Sequence, residues 1–208
     1  MSKSDGLSFK DQTFNLRADA ILDAATRLLA GRGFDLMTMD DVALEVGISK
    51  PSLYKHFKSK EELVGEAMIR LIDGALGFLE QLPPDLAPLA RLRALLEWAL
   101  RVRLSGGLPF LPSTSAQVRA MLTRNLRYTG RVLQLNGQLQ QLVAAAKRLR
   151  ELNPDLPDEV ILFSYYARTC DPAVEYLKLY STLGNEAIVD HMLQVSFGGL
   201  TARSAMPT

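Results

Sequence analysis

The sequence predicts an all-α protein, and three observations carry that expectation. Apolar residues recur at helical spacing along most of the chain. No stretch alternates apolar and polar residues as a half-buried strand would. Ser, Thr, Asn, Gly and Pro fall between the apolar periods, where they start and stop helices. At 208 residues the chain can bury a substantial core in one domain or two. Its 48% hydrophobic and 23% charged residues place it among ordinary globular proteins rather than disordered or fibrous ones.

Residues 1–16 read as a flexible arm. The first ten are polar without an apolar centre, which predicts no secretory signal. A first helix is expected from Arg17 to Ala30, where Ile21, Leu22, Ala25, Leu28 and Leu29 share a face and Gly31 and Gly33 supply stop signals. Thr38 caps a second helix through Glu45, which puts Asp40 and Asp41 in the first turn, where the helix dipole favours acids. Gly47 offers the positive φ of a sharp turn, Ser49 caps a third helix, and Pro51 falls in its first turn, where a missing N–H costs little. Ser59-Lys-Glu-Glu62 is a capping box opening a long fourth helix, with Val64, Met68, Leu71, Ile72, Ala75 and Leu79 along one face and an end before Pro83-Pro84.

Beyond the proline pair, helices are expected over Pro88 to Leu104, Ala116 to Tyr128, Gly130 to Leu152, Asp158 to Leu183 with a bend at Pro172, and a last one capped by Asn185 and reaching Leu200. Ser105 to Ser115 reads as a loop containing Leu108, Phe110 and Leu111. The resulting division is a three-helix helix-turn-helix domain at 17–65, a second helical domain at 66–203 reached through the long helix, and a flexible tail at 204–208. There are no internal repeats or low-complexity segments.

Composition excludes several function classes. Cys170 is the only cysteine, which rules out an internal disulfide framework and any multi-cysteine metal site, and fits a reducing cytoplasm. His56 and His191 lie far apart in the chain, so no metal site is expected. No glycine-rich phosphate loop and no convincing Ser/His/Asp set is present, so neither an enzyme nor a cofactor is expected. No apolar run approaches the roughly 20 residues that span a bilayer. A soluble cytoplasmic protein without a membrane partner is the expectation.

The formal net charge of +1 does not advertise a nucleic-acid partner, and the first 65 residues hold nine Lys/Arg against ten Asp/Glu. Position matters more than total charge. Asp40, Asp41 and Glu45 precede Gly47, whereas no acid lies between Gly47 and Lys60, a stretch containing Lys50, Lys55, Lys58, Lys60, Ser49, Ser52, Tyr54 and His56. Ala43 is small enough for a helix crossing, and Val42, Val46, Ile48, Leu53 and Phe57 can lock the second helix of the pair down. The face left outside carries Lys50, Ser52, Lys55, Tyr54 and His56. Lysine and serine reach base edges, while phenol, imidazole and a helix N-terminus suit phosphates. Two readings fit this pattern: a helix-turn-helix facing DNA, and a helical hairpin with a solvated lysine face. The supporting helix before it and the capped long helix directly after it favour the first.

The segments Ala20 to Leu29, Gly33-Phe34, Thr38 to Ala43 and Gly47 to Leu63 together resemble the N-terminal domain of TetR-type transcriptional regulators, over roughly Arg17 to Ala67. The rest of the chain resembles that family only in length, helicity and a closing Phe197-Gly-Gly-Leu200. The resemblance implies a homodimer on a palindromic operator, and a C-terminal domain that dimerises and binds a small-molecule effector. It implies that Thr38 caps the second helix and touches phosphate, that Lys50 and Ser52 face bases, and that Tyr54, His56 and Lys60 hold phosphates. With Ser49 and Lys55 these form the candidate DNA-contacting set. Many relatives carry Gly or Ala where this chain has Pro51, and the basic cluster often found before the first helix is reduced to Lys10 and Arg17, which argues against a minor-groove arm.

The second half scatters aromatics and methionines, and Trp98, Phe110, Met121, Tyr128, Tyr165 and Tyr166 are the candidate ligand contacts. Plain core residues would look the same. From Trp98 to Arg150 there is no acid but nine Lys/Arg, including Arg101, Arg103, Arg131 and Lys147. Either these pair with acids such as Glu97, Glu151 or Glu175, or some guide an anionic ligand. By family analogy the last two helices form the dimer interface, with Ile161, Ile188, Met192 and Val195 as candidates. The functional expectation is a ligand-released repressor. An activator or a ligand-independent DNA-binding protein is the alternative, with an enzyme or a structural helical dimer behind it.

Overall fold

The computed structural model describes residues 8–108 and 116–198. Every regular element among them is a helix: α1 Phe9–Leu36, α2 Met39–Val46, α3 Lys50–His56, α4 Lys60–Gln81, α5 Pro88–Leu104, α6 Ala116–Arg124, α7 Leu126–Arg148, α8 Asp158–Thr169, α9 Ala173–Tyr180 and α10 Asn185–Gly198. The chain divides into two compact units, Met1–Ala67 and Met68–Thr208, with the division inside α4.

In the first unit α1 packs on α2, and α2 on α3. Its core is made by Ile21, Ala24, Ala25, Leu28, Phe34, Val42, Ala43, Leu53, Phe57, Leu63 and Val64, all buried. The expected arm over residues 1–16 is corrected in part: α1 starts at Phe9, because the Ser8 hydroxyl accepts the Asp11 N–H at 3.2 Å and donates to the Asp11 carboxylate at 2.7 Å. Gly31 does not stop the helix. Gly33 does interrupt it, with φ 76° and ψ 172°, and its carbonyl then accepts the Met37 N–H.

In the second unit α5 is the hub and packs on α7, α8, α9 and α10. Its buried Leu92, Leu95, Leu96, Ala99 and Leu100 meet the apolar stripe Leu135, Leu139, Val143 and Ala146 of α7, with α8 and α10 contributing Ile161, Leu162, Ile188, Val189 and Leu193 to the same core. Two boundaries differ from expectation. Asn125, rather than Gly130, opens α7, its side chain accepting the Tyr128 N–H at 3.1 Å. The expected bend at Pro172 is a full break: α8 ends at Thr169, and the Asp171 carboxylate accepts the Ala173 N–H as α9 begins. Asn185 is the first residue of α10 rather than its cap. The expected tail at 204–208 lies outside the described residues. No helix among the described residues is long and apolar enough to cross a membrane.

Candidate functional site

The α2–α3 pair is built by its caps. The Thr38 hydroxyl accepts the Asp41 N–H at 3.1 Å, while the Asp41 carboxylate accepts the Thr38 N–H at 3.0 Å, a reciprocal box. The Thr38 hydroxyl also donates to the Asp41 carboxylate at 2.6 Å, and this bond, then the Thr38 N–H, with help from Arg32, hold the Asp41 carboxyl below its ordinary range. Gly47 ends α2 in the left-handed region at φ 72°, ψ 33°, and the Ile48 N–H returns to the Ala43 carbonyl at 3.0 Å. This turn gives α3 its direction. Ser49 caps α3 by accepting the Ser52 N–H, Pro51 lies in the first turn, and the buried Leu53 and Phe57 anchor it.

The acids before Gly47 each meet a cation. Glu45 accepts from Arg27 of α1 at 2.8 Å, Asp41 lies 3.5 Å from Arg32, and Asp40 holds the Lys50 ammonium at 2.8 Å. The α3 surface keeps Ser49, Lys50, Tyr54 and Lys55 exposed, with Ser52 and His56 partly so. Lys58 turns back onto the Tyr54 carbonyl at 3.2 Å and closes α3. In the capping box at α4 the Ser59 hydroxyl accepts the Glu62 N–H, but the Glu62 carboxylate accepts the Lys58 N–H instead of its own cap residue's. The Lys60 ammonium lies over the Phe34 ring, 4.2 Å from its centroid. Phe34 thus explains the Gly-Phe pair: glycine turns the chain and the ring holds a cation.

The His56 ring departs from the expectation of a free phosphate clamp. It stacks on Phe14 of α1 at 4.0 Å, and its Nδ1 is buried without a hydrogen-bond partner among the described residues. A phosphate contact therefore has to use Nε2. Burial, and secondarily the charge of Arg17, pull His56 below its ordinary value of 6.5. The unfolded chain consequently takes up the proton first as pH falls. The first unit is expected to lose stability as pH drops below about 6.5, the loss levelling off once folded His56 is protonated too. His56→Gln should flatten that part of the profile in denaturant titrations across the range, and identical profiles for the two proteins would refute the assignment.

Sequence reasoning missed Phe14, Arg27 and Arg32, the contact of Phe34 with Lys60, and the pairing role of Asp40. Only the Thr38-x-x-Asp41 box carried a signal at the level of spacing. The remainder depends on which helices meet.

Residues 21–67 match the model for "Bacterial regulatory proteins, tetR family". The first unit is thus similar to the tetR family. The chain is 39% identical over 80 residues to the HTH-type transcriptional repressor KstR2 of Mycolicibacterium smegmatis, covering 38% of this chain and 39% of the relative. It is 37% identical over 65 residues to the HTH-type transcriptional activator FasR of the same organism, covering 31% of this chain and 30% of the relative. The chain thus spans well under half the length of these curated relatives. A solved structure of AibR in complex with isovaleryl coenzyme A and operator DNA shares the fold, with a TM-score of 0.62, 22% identity, and coverage of 87% of this chain and 98% of the other.

The second unit gathers some of the candidate ligand residues. Tyr165 is buried, and its hydroxyl donates to the Leu92 carbonyl at 3.0 Å. The Tyr166 hydroxyl reaches Asn136 Oδ1 at 3.5 Å, and burial, with Tyr128 nearby, pushes Tyr166 up to about 12. Tyr128 is itself buried and raised. Trp98 instead stacks with Phe78 at 5.9 Å, so close to α4 that a Cβ on Gly74 would lie 3.2 Å from its ring. Met121 is half-buried on α6, and Phe110 lies outside the described residues.

Of the arginine-rich stretch, Arg101 pairs with Glu97 and Glu186, Arg103 with Glu175, Arg131 with Asp73, and Lys147 with Asp158. Glu151 instead accepts the Leu89 N–H at the start of α5. Pairing with acids on other helices accounts for these four cations.

The interface candidates need correction. Ile161, Ile188 and Met192 are 2%, 1% and 6% exposed, inside the second unit's own core, whereas Val195 is 66% exposed. The exposed apolar side chains of these helices are Val160 and Phe163 on α8, Tyr176, Leu179 and Tyr180 on α9, and Val195 on α10.

Proposed function

We propose that this protein is a cytoplasmic DNA-binding transcriptional regulator, a repressor that holds a palindromic operator as a homodimer and is released by a small apolar or anionic ligand. The observation that carries the DNA reading is the acid-free outer face of α3. It is set by the left-handed Gly47 turn and presents Lys50, Ser52, Tyr54 and Lys55 beside the capped start of α4. Lys50 and Ser52 sit at the N-terminal end of α3, where a recognition helix meets base edges. Tyr54, Lys55, Lys60 and the Nε2 edge of His56 supply phosphate contacts, and Thr38 supplies another at the start of α2.

A second copy is supported by the exposed apolar side chains of α8, α9 and α10, which a solitary subunit would leave in water. An acyl-thioester-like effector is supported by the ligand named for AibR, and the tyrosine cluster of α7 and α8 offers hydroxyl handles among apolar side chains. Release would be a population shift, with ligand favouring a spacing of the two α3 helices that no longer fits successive major grooves. Since one relative is named a repressor and another an activator, activation is the alternative sign.

Fragments selected from random duplex DNA should yield a two-fold symmetric site. On it, Lys50→Ala is expected to erode selectivity by about 1–3 kcal/mol per misread base pair, and Tyr54→Phe to weaken all sequences alike. An acyl thioester should release the complex more readily than a neutral apolar compound does. Equal mobility-shift titrations for wild type and both variants would sink the interface assignment.

A further inference from the structure

We propose that Asp40 is a specificity-determining residue of the DNA interface, holding Lys50 as a neutralised, oriented hydrogen-bond donor so that this lysine reads bases rather than seeking phosphates. The proposal rests on the DNA-binding reading and deepens it.

The three acids of α2 have different duties. Asp41 closes the cap with Thr38, and Glu45 ties α2 to Arg27 of α1; both secure the scaffold. Asp40 reaches forward across the turn instead. Its two carboxylate oxygens lie 2.8 and 3.0 Å from Lys50 Nζ. Lys50 is the first residue of α3, a cation at the end of a helix where the dipole disfavours one. Asp40, in the first turn of α2, sits where the dipole favours an anion. The pair joins two helix N-termini at the leading edge of the DNA-facing surface. Both side chains are more than half exposed, and exposed pairs add little stability. A role in recognition fits that exposure better than a role in folding.

The chemistry follows from the donor count. An ammonium has three N–H groups, and a carboxylate engaging two of them leaves a third free. That donor suits a major-groove acceptor such as guanine O6 or N7. The charge that draws a free lysine to any phosphate is meanwhile cancelled by Asp40. Non-operator DNA, which offers phosphates everywhere but the right acceptor rarely, is thereby discounted, while the operator is not.

The test compares full-length wild type, Asp40→Asn, Lys50→Ala and the double variant on two duplexes, the operator selected from random DNA and an unrelated sequence of equal length, over a salt series. Asparagine keeps the shape and removes the charge, and thermal unfolding checks that the fold is retained. Freeing one lysine per subunit adds two phosphate contacts to a dimer. Asp40→Asn should therefore bind non-operator DNA more tightly, with about 10-fold more affinity lost between about 50 and 200 mM salt than for wild type. The ratio of operator to non-operator affinity should fall. In the Lys50→Ala background the Asp40 substitution should change neither quantity. Unchanged non-operator binding by Asp40→Asn overturns the proposal and leaves the DNA-binding reading intact, as does a gain that persists without Lys50, since that is a general charge effect. Wild-type protein that binds neither duplex at any salt overturns both.

Discussion

Replacing Leu53 by Ala is expected to destabilise the first unit by about 2–5 kcal/mol and to abolish operator binding, although Leu53 is buried and lies outside the proposed DNA-contacting set. The size of the effect follows from how little holds α3. The helix has seven residues, too few to be stable alone, and Leu53 is its one buried side chain. The unit ends at Ala67, and a domain of that size buries too little surface to absorb such a loss. Leu44, one helix earlier, is the control: it is exposed, and Leu44→Ala should change stability by less than about 0.5 kcal/mol. Trp98 is the only tryptophan and belongs to the second unit. Its fluorescence should therefore keep its unfolding midpoint in Leu53→Ala, while far-ultraviolet circular dichroism shows an earlier loss of helix. Operator affinity equal to that of wild type would show that α3 is not held as described.

The parts of this fold that were legible in the sequence are those whose signals are local. Thr38, Gly47, Ser49, Pro51 and Ser59 each act on backbone within four residues of themselves, so their roles in capping and turning followed from position. The first turns of α1 were misread because they lack an apolar face; Phe9 and Leu16 are exposed there, and the helix depends on the Ser8 cap and on Phe14 finding His56. That stack joins residues 42 positions apart, which no periodicity reports. The same limit applies to α8. It carries apolar residues on both sides, Ile161, Leu162, Tyr165 and Tyr166 inward, and Val160 and Phe163 outward. A helix apolar around most of its circumference does not reveal which side its own core takes. Spacing identified α8 as helix but could not separate core from candidate interface. Asp40 was legible as a favourable N-terminal acid, and only the folded turn brings it to Lys50.

The outward side of α8 and α10 decides the second large prediction. Phe163→Glu and Val195→Glu are each expected to leave a folded subunit, because both positions are exposed within it. In an isologous dimer each substitution enters the interface twice. An uncompensated buried charge costs about 3–5 kcal/mol, so two raise the dimer dissociation constant by about 10⁴–10⁷-fold. A lone subunit then binds one half-site without the effective concentration that linkage gives the other, and operator affinity falls by about 10²–10⁴. Ile188→Glu should behave differently: its side chain lies in the subunit's own core, so the carboxylate disrupts folding before any partner is met. Sedimentation and thermal unfolding separate these outcomes, since the exposed-site variants should be folded monomers and Ile188→Glu should not fold. Dimers of wild-type stability for both Phe163→Glu and Val195→Glu would move the interface away from these helices, and a folded monomeric Ile188→Glu would return it to the buried face that the spacing alone suggested.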